Sequence, residues 1–238
     1  MTLAEILASL FPEGHDVTVA DGLVSGDGPF RNGRLALVGI DGNTPLGVEG
    51  AARLAGSVLD VVRRGGGTPI LVAIDSDSQR MSRRDELLGL NEYLAHLAKC
   101  LLLADRSGHP TIGLVYGHTA AGAFIATALA TRVLAGMPGA SPSVMDLPSV
   151  ARVTKLPLDR LEAMARDTPV FAPGLDNMVK TGAVHAVLDP AQPLGPQIAG
   201  LIDALPASDT RDALGAERGG RPVAQAIAAE VARDASLG

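Results

Sequence analysis

The chain has 238 residues, a formal net charge of −6 and 47% hydrophobic residues, with a mean hydropathy of +0.24. This composition excludes a disordered chain, and the acidic balance argues against binding to nucleic acid. The absence of a basic leader, of a bilayer-length apolar run and of a second cysteine beside Cys100 predicts a cytoplasmic protein with no membrane partner. The high hydropathy then indicates either a very large core or apolar surface that partners cover.

Strand-like and helix-like segments alternate along the chain. Thr2 and Glu5 form a capping-box pattern at the start of a helix, and Thr44-Pro45 predicts the start of the next one. Continuous apolar runs bounded by turn residues predict buried strands. In chain order, the first predicted elements are a helix over 2–11, a polar stretch over 14–34 with turns at 21–22 and 26–29, a strand over 35–40, a helix ending at 63–67, and a strand over 69–74.

The second half continues the alternation after a polar loop over 75–84. A long helix follows, with leucines at heptad-like spacing: Leu87, Leu90, Leu94, Leu97 and Leu101. The remaining predicted elements are a strand over 111–117, a helix over 120–130, a strand over 132–136, a segment over 137–158 that is irregular or contains short elements, a helix ending at Gly182, a strand over 183–189, and C-terminal helices around 197–205 and 222–235. This order predicts one α/β domain built from β-α-β units.

The segment YGHTAAGAFIA, residues 116–126, is the most informative one for chemistry. A buried strand ends there, and a helix begins among Ala and Gly. Small residues at such a turn leave backbone N–H groups open to a ligand, and amides in this position can form an oxyanion hole. Close packing of the helix against the sheet explains the same small residues, so the pattern by itself leaves both interpretations open.

From about Arg31 to Pro190, the order of elements resembles the carboxyltransferase branch of the crotonase superfamily. The matching pieces are PILVAID, a loop that opens with Asp75, the long helix to Ala104, PTIGLVYG, AAGAF, RVLAG and TGAVHAVLD. Within that branch, the gamma subunits of biotin-independent malonate decarboxylases are the most similar, and the resemblance extends through TLAEILASLFPEGHDV and IDSDSQRMSRRDELLGLNEYLAHLAKCLLLAD. It implies a crotonase-like (ClpP/crotonase) α/β fold of repeated β-β-α units with C-terminal helices, as a single domain over 1–238.

The resemblance also implies a function in malonate catabolism. A gamma subunit of this kind works with a related beta subunit in a hetero-oligomer, and together they convert a malonyl thioester on an acyl carrier protein to an acetyl thioester and CO2. The chain is then expected to bind no cofactor and no metal. Its substrate is carried on the phosphopantetheine-type, dephospho-CoA-derived arm of the carrier protein, and an acyl carrier protein transferase subunit is a further expected partner.

Loss of CO2 leaves a thioester enolate, so donors to its oxygen lower the barrier. The peptide that matches the family's turn is Gly122-Ala123, and its backbone amides are the predicted oxyanion donors. Related subunits usually have two adjacent glycines here, but the amides survive the change to Ala123. His118 beside the turn is a candidate acid for the enolate, against the alternative that its ring merely caps the turn.

Four further residues are predicted to contact the substrate. Ser76, Asp77 and Ser78 follow a strand end, where α/β folds bind ligands, and Thr119 lies in the turn. Related subunits often carry Pro-Gly in the loop where this chain has Asp77-Ser78. Ser and Asp are also ordinary loop residues, so a purely structural role is the alternative.

The arginines Arg80, Arg83 and Arg84 form the sharpest cationic cluster of this acidic chain. They are predicted to contact the acidic carrier protein or the phosphate groups of its arm, against the alternative of a solvated loop. By contrast, Cys100 and three of the histidines are expected to be core residues; these histidines are His96, His109 and His185.

Two other functions remain open at this stage. The first is a carboxyltransferase subunit of a biotin-dependent acyl-CoA carboxylase, although no lysine lies in the Met-Lys-Met setting that carries biotin. The second is a non-catalytic scaffold that supports the active site of a partner.

Overall fold

The computed structural model describes residues 1–167, 172–221 and 223–236. Within these residues, seven strands form the main sheet, in the order β1-β2-β3-β4-β5-β7-β9, while β6 and β8 form a separate parallel pair. The strands are β1 (Thr18–Ala20), β2 (Leu23–Phe30), β3 (Gly33–Ile40), β4 (Ile70–Ile74), β5 (Thr111–Val115), β6 (His118–Ala120), β7 (Val133–Gly136), β8 (Ser141–Ser143) and β9 (Ala186–Val187).

Helices connect and cover these strands. They are α1 (Leu3–Leu10), α2 (Val48–Arg64), α3 (Arg83–Leu87), α4 (Leu90–Arg106), α5 (Ala121–Ala126), α6 (Leu147–Thr154), α7 (Leu158–Asp167), α8 (Leu175–Lys180), α9 (Leu194–Asp203), α10 (Arg211–Glu217) and α11 (Ala224–Ala235), with a 3-10 turn at Ala128–Ala130. The predicted capping box of α1 is confirmed, since the Thr2 side chain accepts from Glu5 N–H and Glu5 accepts in return.

The sheet places several chain segments at one edge. Strands β3, β4 and β5 run parallel, with Ile40 paired to Ile74 and Ile74 paired to Val115. The loops that follow these three strands therefore leave the sheet side by side. Continuous apolar sequence builds these strands because both faces of the sheet are covered: one face packs on α2, α4 and α5, and the other on α1 and α9.

Glycines explain the main difference between the predicted and the observed elements in the N-terminal part of the chain. The predicted turn at 26–29 lies inside strand β2. A Cβ at Gly26 would lie 2.5 Å from the Asp16 carbonyl oxygen, and one at Gly28 would lie 2.5 Å from the Phe11 ring. These glycines therefore permit close packing on a strand, and they do not end it.

Three other element boundaries differ from the prediction. Helix α2 begins after Gly47 and not at Thr44-Pro45, because Leu46 pairs with Gln79 in an isolated β-bridge. The predicted long helix is split into α3 and α4 at Gly89, whose φ is +80°, and Leu87 is 77% exposed. The predicted strand 183–189 shortens to β9.

The C-terminal helices are α9, α10 and α11 in place of the two that were predicted. Helix α11 confirms the last of them, although Pro222, the first residue of that prediction, lies outside the described residues. The predicted helix over 120–130 is divided, since α5 ends at Ala126 and a 3-10 turn follows at Ala128–Ala130. The predicted segment over 137–158 holds the short elements β8 and α6. The remaining predicted strands and helices are confirmed with small shifts of their ends. No helix in the described part of the chain is long and apolar enough to cross a bilayer.

Candidate active site

A carboxylate ties together the loops at the edge of the sheet. Asp75 directly follows β4; its Oδ1 accepts from the His118 N–H at 3.0 Å and its Oδ2 accepts from the Asn43 N–H at 3.1 Å. A Cβ at Gly117 would lie 2.2 Å from Asp75 Oδ1, so glycine is required at that position. Asp75 therefore holds the start of the β5–β6 turn against the β3 loop.

A buried tyrosine supports the same edge. The Tyr116 hydroxyl donates to Asp41 Oδ1 at 2.7 Å, and the Ile40 carbonyl oxygen lies 3.2 Å from the same hydroxyl. Burial raises the pKa of Tyr116 far above its ordinary value, and the hydrogen bond to Asp41 and the charges of Asp41 and Asp75 add to this. The phenol therefore stays protonated and acts as a fixed donor.

The turn between β6 and α5 presents a backbone amide. Ala121 has a φ of +50°, a left-handed conformation that costs about 1 kcal/mol or more in a residue with a side chain. Directly after it, the Gly122 N–H donates to Oε1 of Gln79 at 2.7 Å. Ala123 follows and is completely buried. The structure thus places the predicted oxyanion peptide at a strained turn, where one amide faces a side-chain oxygen.

Gln79 is a functional candidate that sequence reasoning missed. Its backbone is fixed by the bridge to Leu46: the Leu46 N–H donates to the Ser78 carbonyl, and the Arg80 N–H donates to the Leu46 carbonyl, both at 2.8 Å. The loop sequence carries no signal for this contact, because Gln79 and Gly122 lie 43 positions apart.

His118 lies at the start of this turn with its side chain half-buried. Its carbonyl accepts from the Ser76 N–H at 2.7 Å. The pKa of Asp146 is lowered by hydrogen bonds from Ser149, and the charges of Arg152 and His118 add to this effect. The imidazole of His118 is therefore within electrostatic range of the N-terminal end of α6.

The predicted substrate-contact residues occupy different environments. The Ser76 side chain is completely buried, and its hydroxyl donates to the Thr44 carbonyl at 2.8 Å, so it is engaged within the loop. Asp77 is exposed and Ser78 is half-buried. Thr119 is completely buried, and its hydroxyl has no hydrogen-bond partner among the described residues.

Two of the three clustered arginines are engaged in ion pairs. Arg84 contacts Glu49 at 2.5 Å and Asp85 at 3.4 Å, while Arg80 lies 3.7 Å from Asp85 and 3.9 Å from Glu49. The hydrogen bond from Arg84 lowers the pKa of Glu49. Arg83 is exposed, and no carboxylate of the described residues lies within ion-pair distance of it. Of these three arginines, Arg83 is therefore the one without an ion-pair partner among the described residues.

Asp85 is the buried centre of this arginine segment, defined as residues 80–85. Its side chain is 1% exposed, and a Cβ at Gly47 would lie 2.9 Å from its Oδ2. The segment thus clamps the start of α3 to the start of α2. The same Gly47 position would meet the Arg80 guanidinium at 2.8 Å, so the clamp needs a glycine there.

The residues expected in the core are confirmed in part. Cys100 and His109 are buried, and His185 is half-buried. The prediction for His96 is wrong, because this histidine is exposed on α4. Its Nε2 lies 3.6 Å from the Cys100 sulphur. Burial raises the pKa of Cys100 and lowers the pKa of His185. In the described part of the chain, no three metal-binding side chains lie close enough together to hold an ion.

Comparison with known proteins identifies relatives along most of the chain. The family model of the malonate decarboxylase gamma subunit matches residues 42–235. A malonyl-S-ACP:biotin-protein carboxyltransferase of Malonomonas rubra is 30% identical over 169 residues, which are 65% of this chain and 58% of that protein. The chain therefore spans little more than half the length of this curated relative.

Solved structures establish the fold. A chain of the Pseudomonas malonate decarboxylase hetero-tetramer in complex with coenzyme A superposes with a TM-score of 0.76 at 22% identity, over 98% of this chain and 96% of that one. A chain of the transcarboxylase 12S hexamer superposes with a TM-score of 0.70 at 18% identity, over 86% of this chain and 41% of that one. The crotonase-like α/β fold predicted from the sequence is confirmed.

Proposed function

We propose, since this chain belongs to the malonate decarboxylase gamma-subunit family, that it acts with a beta-type sister subunit to decarboxylate a malonyl thioester carried on an acyl carrier protein. Residues 1–238 then act as one crotonase-like domain of a cytoplasmic complex. The observation that carries this proposal is the strained Ala121 turn, which directs the Gly122 amide at an sp2 oxygen 2.7 Å away.

The proposed chemistry needs few groups from this chain. The bond between C2 and the carboxylate carbon breaks, CO2 leaves, and the electron pair passes into the enolate of the thioester. The amides of Gly122 and Ala123 stabilise the negative charge that develops on oxygen, and fixed donors of this type contribute most when water is excluded. A proton then adds to C2, and His118 is the proposed donor.

Apolar surface supports the proposal of a sister subunit. Three apolar side chains spaced four residues apart lie on one face at α11 and are exposed: Val223 at 64%, Ile227 at 56% and Val231 at 63%. An exposed apolar face on a helix is typical of a surface that a partner covers. The acyl carrier protein, its dephospho-CoA-derived arm and the carrier protein transferase subunit are the further proposed partners. Asp77 and Ser78 are the proposed neighbours of the acyl group, since Ser76 and Thr119 are both completely buried.

The test is the variant Ala123→Pro in the complex with the beta-type subunit. Proline removes the amide hydrogen of residue 123 and is tolerated in the first turn of a helix. The rate of CO2 release from malonyl carrier protein is expected to fall about 100- to 1000-fold. The matched control is Ala123→Gly, which keeps the amide hydrogen and is expected to stay within about tenfold of the parental rate, since it removes only one methyl group.

Assembly and thermal unfolding are measured for both variants. A parental rate in an assembled Ala123→Pro complex contradicts the assignment of the Ala123 amide as an oxyanion donor. A purified chain that forms only a homo-oligomer, and a parental complex that releases no CO2 from malonyl carrier protein, would each contradict the proposed function itself.

The relative from Malonomonas rubra favours a second candidate function, transfer of the carboxyl group to a biotin protein. In that reaction, the same enolate forms but the carboxyl group passes to biotin and is not released. The two functions differ in one assay. Transfer to a biotinylated acceptor that avidin abolishes would support the second function, and avidin-insensitive CO2 release supports decarboxylation.

A further inference from the structure

We infer that Gln79 is a positioning residue that reserves the Gly122 amide, and that a substrate oxygen must displace its carboxamide oxygen from that amide in order to bind. This inference rests on the proposed function. The inference adds an internal competitor for the Gly122 amide, which is the Gln79 side chain in the loop after β4. This competitor affects the affinity of the turn for substrate.

The geometry of the contact supports an exchange. Oε1 of Gln79 is a planar carbonyl-type oxygen 2.7 Å from the Gly122 nitrogen. A thioester carbonyl or a carboxylate presents the same kind of acceptor to an amide. A Cβ at position 122 would lie 3.0 Å from both Oε1 of Gln79 and Cδ1 of Leu94, so glycine allows the close approach.

The side chain of Gln79 can leave without moving the loop. Its backbone is fixed through the bridge to Leu46, whereas its side chain is half-buried and its end contacts an exposed methionine. The carboxamide nitrogen contacts the Met81 sulphur at 3.7 Å, and Met81 is 76% exposed. Rotation of the side chain therefore breaks one amide hydrogen bond and one weak contact.

The exchange replaces one hydrogen bond by another of the same type. Such a bond contributes only a modest net free energy, so the competition weakens the binding of substrate about 2- to 10-fold. Because Gln79 competes in binding and takes no part in bond breaking, its removal changes KM and not kcat. A carboxylate at position 79 is expected to raise KM. It accepts more strongly from the Gly122 amide than a carboxamide does, and it repels the malonyl carboxylate.

The experiment compares Gln79→Met and Gln79→Glu in the complex with the beta-type subunit, with malonyl carrier protein as substrate. Methionine matches glutamine in length but has no carbonyl oxygen, and its KM is expected to fall about 2- to 10-fold at an unchanged kcat. Glutamate is expected to raise KM about tenfold or more. Gln192→Met, at an exposed position before α9, is the control for the same substitution and is expected to leave both constants unchanged.

The direction of the change in KM decides the question. A purely structural role of Gln79 predicts a higher KM or a lower melting temperature for Gln79→Met. An unchanged or raised KM in an active, assembled Gln79→Met complex overturns the inference and leaves the proposed function intact. Absence of CO2 release from the parental complex contradicts the proposed function instead, so the two failures are distinguishable.

Discussion

Two neighbouring regions meet at Gln79 and satisfy their polar groups in different ways. In the turn over residues 117–123, the Gly122 amide is paired with a neutral carboxamide oxygen. In the arginine segment, Arg80 and Arg84 are paired with the carboxylates of Glu49 and Asp85, and Asp85 is buried. The first pairing joins an amide to a flexible neutral side chain, whereas the second joins two arginines to carboxylates, one of which is buried.

The difference separates a region suited to exchange from one suited to support. A neutral hydrogen bond can be replaced by another at little net free energy, as binding requires. Removing one partner of a charged pair with a buried member is unfavourable, because the remaining charge has lost its compensation. The arginine segment is therefore suited to a scaffold role, and the turn is suited to the binding of the thioester that we propose for it. Three substitutions test this contrast, beginning with the largest expected effect.

His118→Gln tests the turn for a proton donor. If His118 protonates the enolate, kcat is expected to fall about 100-fold or more, because a positioned general acid contributes that much. The measurement is the rate of CO2 release at saturating malonyl carrier protein.

His96→Gln is the control for this substitution, because His96 is an exposed histidine on α4 far along the chain from the turn. It is expected to keep the parental rate. A His118→Gln variant that loses only stability, with kcat unchanged, supports the alternative that the ring caps the turn and contradicts the assignment as an acid.

Asp85→Asn tests the arginine segment as scaffold. The substitution removes the buried charge that faces Arg80 and Arg84, and it is expected to lower the free energy of unfolding by about 1–3 kcal/mol. Both arginines remain partly in water, which limits the loss. The measurement is urea unfolding. Glu86→Gln, at the next and exposed position of α3, is the control, with an expected change within about 0.5 kcal/mol. Equal losses in the two variants would contradict the scaffold interpretation.

The sheet could be predicted because its signal is local. Strands β3, β4 and β5 are continuous apolar runs, and the loop residues that follow them could be placed at one edge from topology alone. Strand β2 escaped prediction because its glycines, which usually indicate turns, serve here for close packing against Asp16 and Phe11.

The satisfaction of polar groups could not be predicted in the same way. The contacts of Gly122 with Gln79, and of Arg84 with Glu49, join residues that are far apart in sequence, and no periodicity encodes them. The cationic cluster was visible in the sequence, but the carboxylates that neutralise it were not. The turn itself was recognisable through its small residues and its family resemblance, whereas the strain at Ala121 required the backbone angles.

Arg83→Glu tests the one exposed charge of the arginine segment without a described partner. If Arg83 helps to receive the acidic carrier protein, reversing its charge is expected to raise KM for malonyl carrier protein about fivefold at low ionic strength, since a rim charge contributes about 1 kcal/mol. The effect should shrink at high salt, where exposed charges are screened. Arg106→Glu, exposed at the far end of α4, controls for the same change in net charge and is expected to leave KM unchanged. A KM that rises equally in both variants depends on net charge alone. That result would place carrier recognition outside the arginine segment. The segment would then keep only the scaffold role that the buried Asp85 indicates.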